Sequence, residues 1–378
     1  MISTPAILRD SIYRVAKKLL PRQRRLNDLC PEGVVTALYQ GILEREPDVG
    51  SLDHYVAQIR GGRALDHLVH EIATSPERRN RTLQELVPVA PLPNLIDMME
   101  DSYQTEVVYG SPRPVYVARS DADIERMVSL LDQHRYYDSL GVWTPFIDLD
   151  KEITAAIICG LGARSCLELG CFTGPVLSLL SEQGVKVLGI DVSHLAFCFA
   201  YPNIRSSMRF GDILQIKIEQ RFDSVLCMDV MEHLSPLELD SYIRKLSELL
   251  EEDGYIYLNA PMWGEDATFG IVEEPYLEEW HRVGDADFWR HWPCDDLGWP
   301  IHGHLVWAAP SWWSQKFAAH GFVRDQVIEY SLHEGLKTFL ENAPGRRSLF
   351  VLRRSDNRRS PTDVASQVCA ALAELRLP

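Results

Sequence analysis

The stretch SCLELGCFTGPVLSLLSEQGVKVLGIDVS, Ser165 to Ser193, decides the fold of this 378-residue chain. Cys166 to Leu169 is a short apolar run that stops at Gly170 and Gly174. An apolar helical pattern follows, then a break at Gly184 and a second run, VKVLGI, ending at Asp191. This punctuation predicts strand, turn, helix and strand, one βαβ unit of an α/β fold. Glycines at the end of the first strand let the backbone approach a ligand, and an acidic residue about twenty positions on can bind both hydroxyls of a ribose. An adenosine-containing ligand is the expectation.

Charge decides which one. A dinucleotide site places pyrophosphate on the helix N-terminus and carries G-x-G-x-x-G, whereas here the turn reads Glu168-Leu-Gly170-Cys171-Phe-Thr-Gly174. The carboxylate of Glu168 would repel phosphates but suits a ligand with an ammonium and a sulfonium and no phosphate. That ligand is S-adenosylmethionine.

From about Tyr116 to Arg354 the chain resembles the class I S-adenosylmethionine-dependent methyltransferases. LELGCFTG matches their first motif, GIDVS the second, FGDIL the third, FDSVLCMDVMEHL the fourth and DGYIYLNAP the fifth. The resemblance implies a Rossmann-like, seven-stranded, mostly parallel sheet with a reversed last hairpin. It also implies that Glu168, Gly170, Cys171 and Gly174 line the methionine end of the cofactor, and that Asp191, followed by Val192, holds the ribose. Asp212 and Ile213 would border the adenine, and Met228 would sit beside the cofactor. Cys171-Phe172 stand where many relatives carry a further glycine.

The composition, 46% hydrophobic, is that of a globular chain able to bury a large core. A net charge of −16 disfavours nucleic acid and polyanionic substrates. The eight cysteines, Cys30, Cys159, Cys166, Cys171, Cys198, Cys227, Cys294 and Cys369, include no C-x-x-C pair and several lie in apolar strand patterns, as reduced core residues do. No apolar run approaches the roughly 18 residues of a membrane span, and the N-terminus has no signal-peptide core. A cytoplasmic protein is expected.

Five segments follow in order. Residues 1–26 read as a basic amphipathic arm, with Ile7, Leu8, Ile12, Val15, Leu19 and Leu20 at helical spacing among arginines and lysines. Two readings stand for it, a weak contact of residues 6–26 with an anionic membrane surface and a helix docked on its own acidic chain. Residues 27–84 read as a small all-helical domain that offers a surface to a protein partner. Val34, Val35, Leu38, Ile42 and Leu43 form one stripe, and the turn at Pro47 to Gly50 separates it from Leu52, Tyr55, Val56 and Ile59. Its pattern Tyr39-x-x-x-Leu43-x-Arg45-x-Pro47-Asp48 is similar to a bacterial helical domain related to phycobilisome linkers and found beside surface-glycan enzymes. Pro88 to Pro114 mark a linker over 85–115, the methyltransferase domain spans 116–356, and 357–378 form a tail helix. Within the large domain, Tyr136, Tyr137 and Trp143 are candidates for a lid over the cofactor, with ordinary packing as the other reading.

Two features bear on the acceptor. Eight of the nine tryptophans lie between Trp263 and Trp313, mixed with Glu265, Asp266, Glu273, Glu274, Asp285, Asp287, Asp295 and Asp296. Aromatic faces beside carboxylates can hold a polyhydroxylated ligand, and a self-packed cover is the other reading. Asp229, Glu232 and His233 follow the fourth strand at i, i+3, i+4 spacing, and His302-Gly-His304 lies downstream. In similar enzymes, the quinone-precursor O-methyltransferases and the small-RNA terminal 2′-O-methyltransferases, matching residues approach one another and can hold a divalent ion. Carried over, Glu232, His233 and His304 would be catalytic, and with Asp229 they would hold magnesium, manganese or zinc. His233 or His304 acting as a metal-free base, and a capping or purely structural role, stay open beside it. The expected function is O-methylation of a sugar, glycan precursor or other polar small molecule. A quinone or aromatic acceptor and an inactive cofactor-binding scaffold are the alternatives.

Overall fold

The computed structural model of the chain describes residues 30–43, 45–63, 65–73, 75, 91–108, 110–139, 146–271 and 290–375. The arm at 1–26 lies outside them. The chain divides into two compact units, one within residues 1–89 and 139–146, the other within 90–138 and 147–378.

In the first unit, α1 (Pro31–Ile42), α2 (Val49–Arg60) and α3 (Leu65–Ala73) bury one apolar stripe each. Val34, Val35, Leu38, Ile42 and Leu43 meet Val56, Leu68 and Ile72, with Leu52, Tyr55 and Ile59 at the margin. Asp48 ends the turn as the N-cap of α2, its carboxylate accepting from the Ser51 N–H at 2.8 Å.

The second unit is built on a seven-stranded sheet in the order β11-β12-β7-β6-β3-β4-β5. Its strands are β3 (Ser165–Leu169), β4 (Lys186–Asp191), β5 (Met208–Phe210), β6 (Phe222–Met228), β7 (Leu250–Asn259), β11 (Phe322–Arg324) and β12 (Leu349–Arg354). β3 to β7 pair in parallel, β12 runs against β7, and β11 runs against β12. This is the Rossmann-like arrangement implied by the five motifs. Strand order reverses at β3, so the carboxyl ends of β3, β4 and β6 border one crevice, the usual ligand position of such sheets.

Alternate residues of each strand feed opposite faces. Leu167, Leu169, Val225 and Ile256 pack with α9 (Leu239–Leu249) and α10 (Pro310–Ala318). Cys166, Leu226, Tyr255 and Val351 pack with α6 (Leu149–Gly160), α7 (Pro175–Glu182), α11 (Gln326–Gly335) and α13 (Pro361–Glu374). The terminal helix is thus part of this core, through Val364, Ala365, Val368 and Leu372. Leu237 precedes α9, which begins only at Leu239, and is exposed.

Part of the stretch read as a linker is structured. β1 (Tyr103–Val108) and β2 (Ser111–Val117) form a hairpin, and β2 also pairs with β10 (His291–Pro293). The prolines misled the reading because they point away from the β1 ladder. The Pro114 carbonyl accepts from the Cys294 N–H at 2.8 Å on the β10 side, so neither Pro112 nor Pro114 faces β1 with its missing donor.

The terminal helix crosses α6 at Gly160, where an added Cβ would lie 2.5 Å from the Val368 Cα. Helix propensity alone would make Gly160→Ala stabilising by roughly 1 kcal/mol. Overpacking reverses the sign, and urea unfolding should show a loss of about 1–3 kcal/mol. Gly335→Ala, with nothing within 4 Å of the added methyl, should be neutral or stabilising.

Candidate functional site

The turn after β3 is held against the end of β4. The Gly170 N–H donates to the Ile190 carbonyl at 2.8 Å, and the Gly174 N–H to the Cys171 carbonyl at 2.8 Å. Phe172 has φ +45, a left-handed backbone at the place where many similar chains carry glycine. Asp191 secures it: one carboxylate oxygen accepts from the Phe172 N–H at 2.7 Å and the other from the Ser193 N–H at 2.7 Å. Each oxygen keeps a lone pair for a hydroxyl. Burial raises the Asp191 carboxyl to about 6 against the pull of the Ser193, Phe172 and Val192 N–H groups.

Glu168 is buried at the end of β3, and its Oε2 has no hydrogen-bond partner among the described residues. Burial pushes its carboxyl well above the usual range, and the Asp191 charge pushes the same way. A buried carboxylate without a partner is costly, so this position fits a ligand bearing a cation. Cys171 is buried and serves packing. Val192, next to Asp191 in the chain, and Phe210, which pairs with Asp191 across β4 and β5, are half exposed and offer apolar faces. Asp212 caps the next turn through the Leu214 N–H at 2.9 Å, Ile213 is fully buried in the core, and Met228 is half buried at the end of β6.

Beyond Met228, the chain makes a short turn through Met231–His233 and brings together three of the four residues read as a metal set. Glu232, His233 and His304 each offer a ligand atom, all within 4.8 Å of one another. Glu232 has no exposure, and neither carboxylate oxygen has a hydrogen-bond partner among the described residues. Its main-chain carbonyl accepts from Leu305 and Val306, which pins the His304 segment beside it. The His233 Nδ1 lies 3.2 Å from the Gly303 carbonyl, and the His233 and His304 rings meet edge to face at 4.9 Å. Burial raises the Glu232 carboxyl well above its usual range, reinforced by Asp229, lowers His233 to about 4, and lowers His304 well below the usual imidazole value. Two imidazoles whose burial disfavours the charged form thus converge on a carboxylate that has no hydrogen-bond partner among the described residues.

Asp229 is not in that set. It ion-pairs with Arg346, Oδ2 to Nη1 at 2.5 Å, a partner 117 positions away that no local spacing reveals. Tyr137 flanks the cluster, its hydroxyl donating to the Gly303 carbonyl at 3.2 Å and its ring 5.3 Å from His233. Tyr136 is buried and donates to the Pro300 carbonyl at 2.9 Å, a packing role, while Trp143 lies outside the described residues. Asp138 was not singled out from the sequence, yet it accepts from the Ser193 hydroxyl at 2.6 Å and pairs with Arg135, tying the tyrosine segment to the turn after Asp191.

The tryptophan cluster serves packing to a large extent. Trp292, Trp299, Trp307 and Trp313 are buried, and the indole N–H groups of Trp292 and Trp299 donate to the Leu305 and Pro93 carbonyls. Asp266 pairs with Arg324, and Asp295 accepts from the Leu297 and Trp299 N–H groups. Trp263 and Trp312 keep partial exposure, and Trp280 and Trp289 lie outside the described residues.

Residues 121–324, more than half of the chain, match a family described as "Methyltransferase domain". The chain belongs to that family. It is an S-adenosylmethionine-dependent methyltransferase, and the orphaned Glu168 carboxylate and the Asp191 cradle fit the cofactor. Curated relatives include the ubiquinone biosynthesis O-methyltransferases of Pseudomonas paraeruginosa, 25% identical over 44% of this chain and 75% of that protein, and of Alkalilimnicola ehrlichii, 26% identical over 46% and 74%. Among solved structures, an amino pentose methyltransferase from Micromonospora echinaspora aligns over 55% of this chain and 91% of its own, at 18% identity and a TM-score of 0.37.

The buried Glu232 gives a prediction for the ion-free chain. A carboxyl raised on folding stabilises below its unfolded value and loses that contribution as pH rises through the folded one. In chelator, wild-type stability should therefore fall as pH rises above the usual carboxyl range. Glu168 and Asp191 contribute in the same direction, so Glu232→Gln should reduce that slope without abolishing it, and be more stable at pH 8 by on the order of 1–3 kcal/mol, measured by denaturant unfolding.

Proposed function

We propose that this methyltransferase modifies a hydroxyl of a small molecule that carries a second oxygen beside the first. Vicinal sugar hydroxyls of glycan precursors and catechol-type quinone precursors share that arrangement. The convergence of Glu232, His233 and His304 at the end of β6 carries the reading. O-methyltransferase activity in the names of the curated relatives supports an oxygen acceptor.

S-adenosylmethionine supplies a methyl group already activated on a sulfonium. The chain's work is then to hold the cofactor, align the acceptor and help remove a proton. Glu168 would face the cofactor's ammonium and Asp191 its ribose hydroxyls, while Val192 and Phe210 would border the adenine. Glu232, His233 and His304 would hold a divalent ion, magnesium, manganese or zinc, which lowers the pKa of an acceptor hydroxyl. Both imidazoles are held neutral by burial, the form that ligates a cation or takes a proton. A single carboxylate with two histidines is a set known to hold a catalytic ion while leaving positions open. In a second reading His304 is the base without an ion, favoured by its buried Nδ1, which has no hydrogen-bond partner among the described residues.

No helix among the described residues is long and apolar enough to cross a membrane. The first unit would provide a surface for a protein partner or a location, leaving the chemistry to the second.

Two measurements test the proposal. Asp191→Ala should weaken cofactor binding by about 3 kcal/mol or more by calorimetry, since two charge-assisted hydrogen bonds are lost. Wild-type affinity should fall as pH drops through about 6, where Asp191 gains its proton. Chelator should abolish transfer to catechols or sugar diols with cofactor affinity intact, and Glu232→Gln should cost as much activity as His304→Ala. Chelator-resistant turnover in which only His304→Ala is damaging would favour the metal-free base.

A further inference from the structure

Asp229 occupies the place in the fourth motif where a further acidic ligand is expected, yet the fold gives it a different task. It follows directly on β6 with φ +52, a left-handed backbone that a non-glycine residue adopts only when held there. Two contacts hold it. Its N–H donates to the Asn259 carbonyl at 2.9 Å, and its carboxylate pairs with Arg346 at 2.5 Å.

Arg346 is committed as well. Its Nε pairs with Asp150 at 3.0 Å, at the start of α6, and its Nη1 also donates to the Asn259 Oδ1 at 2.8 Å. Asn259 is fully buried and spends its amide N–H groups on the Gly345 and Ser348 carbonyls, lacing the Arg346 segment to the end of β7. Burial opposes the guanidinium charge, and the Asp229 and Asp150 carboxylates outweigh it. Turning Asp229 toward Glu232 would leave Arg346 with one carboxylate in place of two. Both side chains are part-buried, and removing one partner from a charge network of this kind costs stability.

Resting on the ion-binding reading above, we propose that Arg346 withholds Asp229 from the ion, so that the site holds a divalent cation with three side chains, Glu232, His233 and His304. Charge supports the arrangement. With Asp229 paired to Arg346, and Asp150 shared between Arg346 and Lys151, that network balances its own charges. The three ligands then bring one negative charge against a divalent cation, and a net positive potential remains where an acceptor hydroxyl must give up its proton. A second carboxylate in the set would cancel that potential. Arg346 is therefore a positioning residue for the reaction, acting through Asp229.

Calorimetric titration of the full chain with manganese tests this. Asp229→Asn, whose amide oxygen still accepts from Arg346, should bind manganese within about threefold of wild type, whereas Glu232→Gln should bind it about tenfold or more weaker. Arg346→Met should tighten binding by freeing Asp229, and Arg346→Met with Asp229→Asn should return it to the wild-type value. Weakening beyond threefold in Asp229→Asn, with wild type binding normally, overturns the proposal even if Arg346→Met does not fold. A wild-type chain that takes up no manganese instead sinks the ion-binding reading on which it rests.

Discussion

Three carboxylates buried at the carboxyl ends of parallel strands set the terms for the rest of this structure. Glu168 ends β3, Asp191 ends β4 and Glu232 follows β6, and each is pushed toward its protonated form by burial. Among the described residues, Glu168 Oε2 and both Glu232 carboxylate oxygens have no hydrogen-bond partner, whereas Arg346 serves Asp229 and Asp150, and Arg324 serves Asp266 and Glu329. The contrast matters. A chain able to place a guanidinium beside a carboxylate in two places leaves two others without a hydrogen-bond partner among the described residues, at the crevice where the strand order reverses. Bare acidic positions there suit cationic partners from outside the chain, an ammonium at Glu168 and a metal ion at Glu232.

The scaffold that imposes these positions was legible in the sequence because it depends on local signals. Apolar runs of strand length stop at Gly170, Asp191, Gly211 and Asp229, and a fifth stops at Asn259-Ala-Pro261, in the order of a Rossmann-like methyltransferase. Phe172 shows the limit of that legibility. It departs from the glycine pattern, yet the turn keeps its left-handed backbone because the Asp191 carboxylate fixes the Phe172 N–H. The convergence of His304 with Glu232 and His233 followed from resemblance, and the structure adds its cause, two main-chain bonds from Leu305 and Val306 to the Glu232 carbonyl.

What stayed hidden depends on long-range pairing. The resemblance makes Asp229 a candidate ligand, and its ion pair with Arg346, from the segment before β12, is not visible in any local pattern. Proline composition suggested a linker where β1 and β2 pair, because sequence does not say which side of a strand lacks its donor. The tryptophan cluster suggested a sugar-stacking surface, but the indole N–H groups of Trp292 and Trp299 are spent on main-chain carbonyls inside the unit. Composition does not separate a binding face from a packed one. Burial does.

The proposed ion site needs Glu232, His233 and His304 to act together on one cation. Anomalous diffraction from crystals of the full chain grown with manganese and S-adenosylhomocysteine tests it most directly. The account predicts one strong anomalous peak within coordination distance of all three side chains, with Asp229 still on Arg346. The absence of a peak there, or a peak bound by Asp229 with Arg346 turned away, would contradict it.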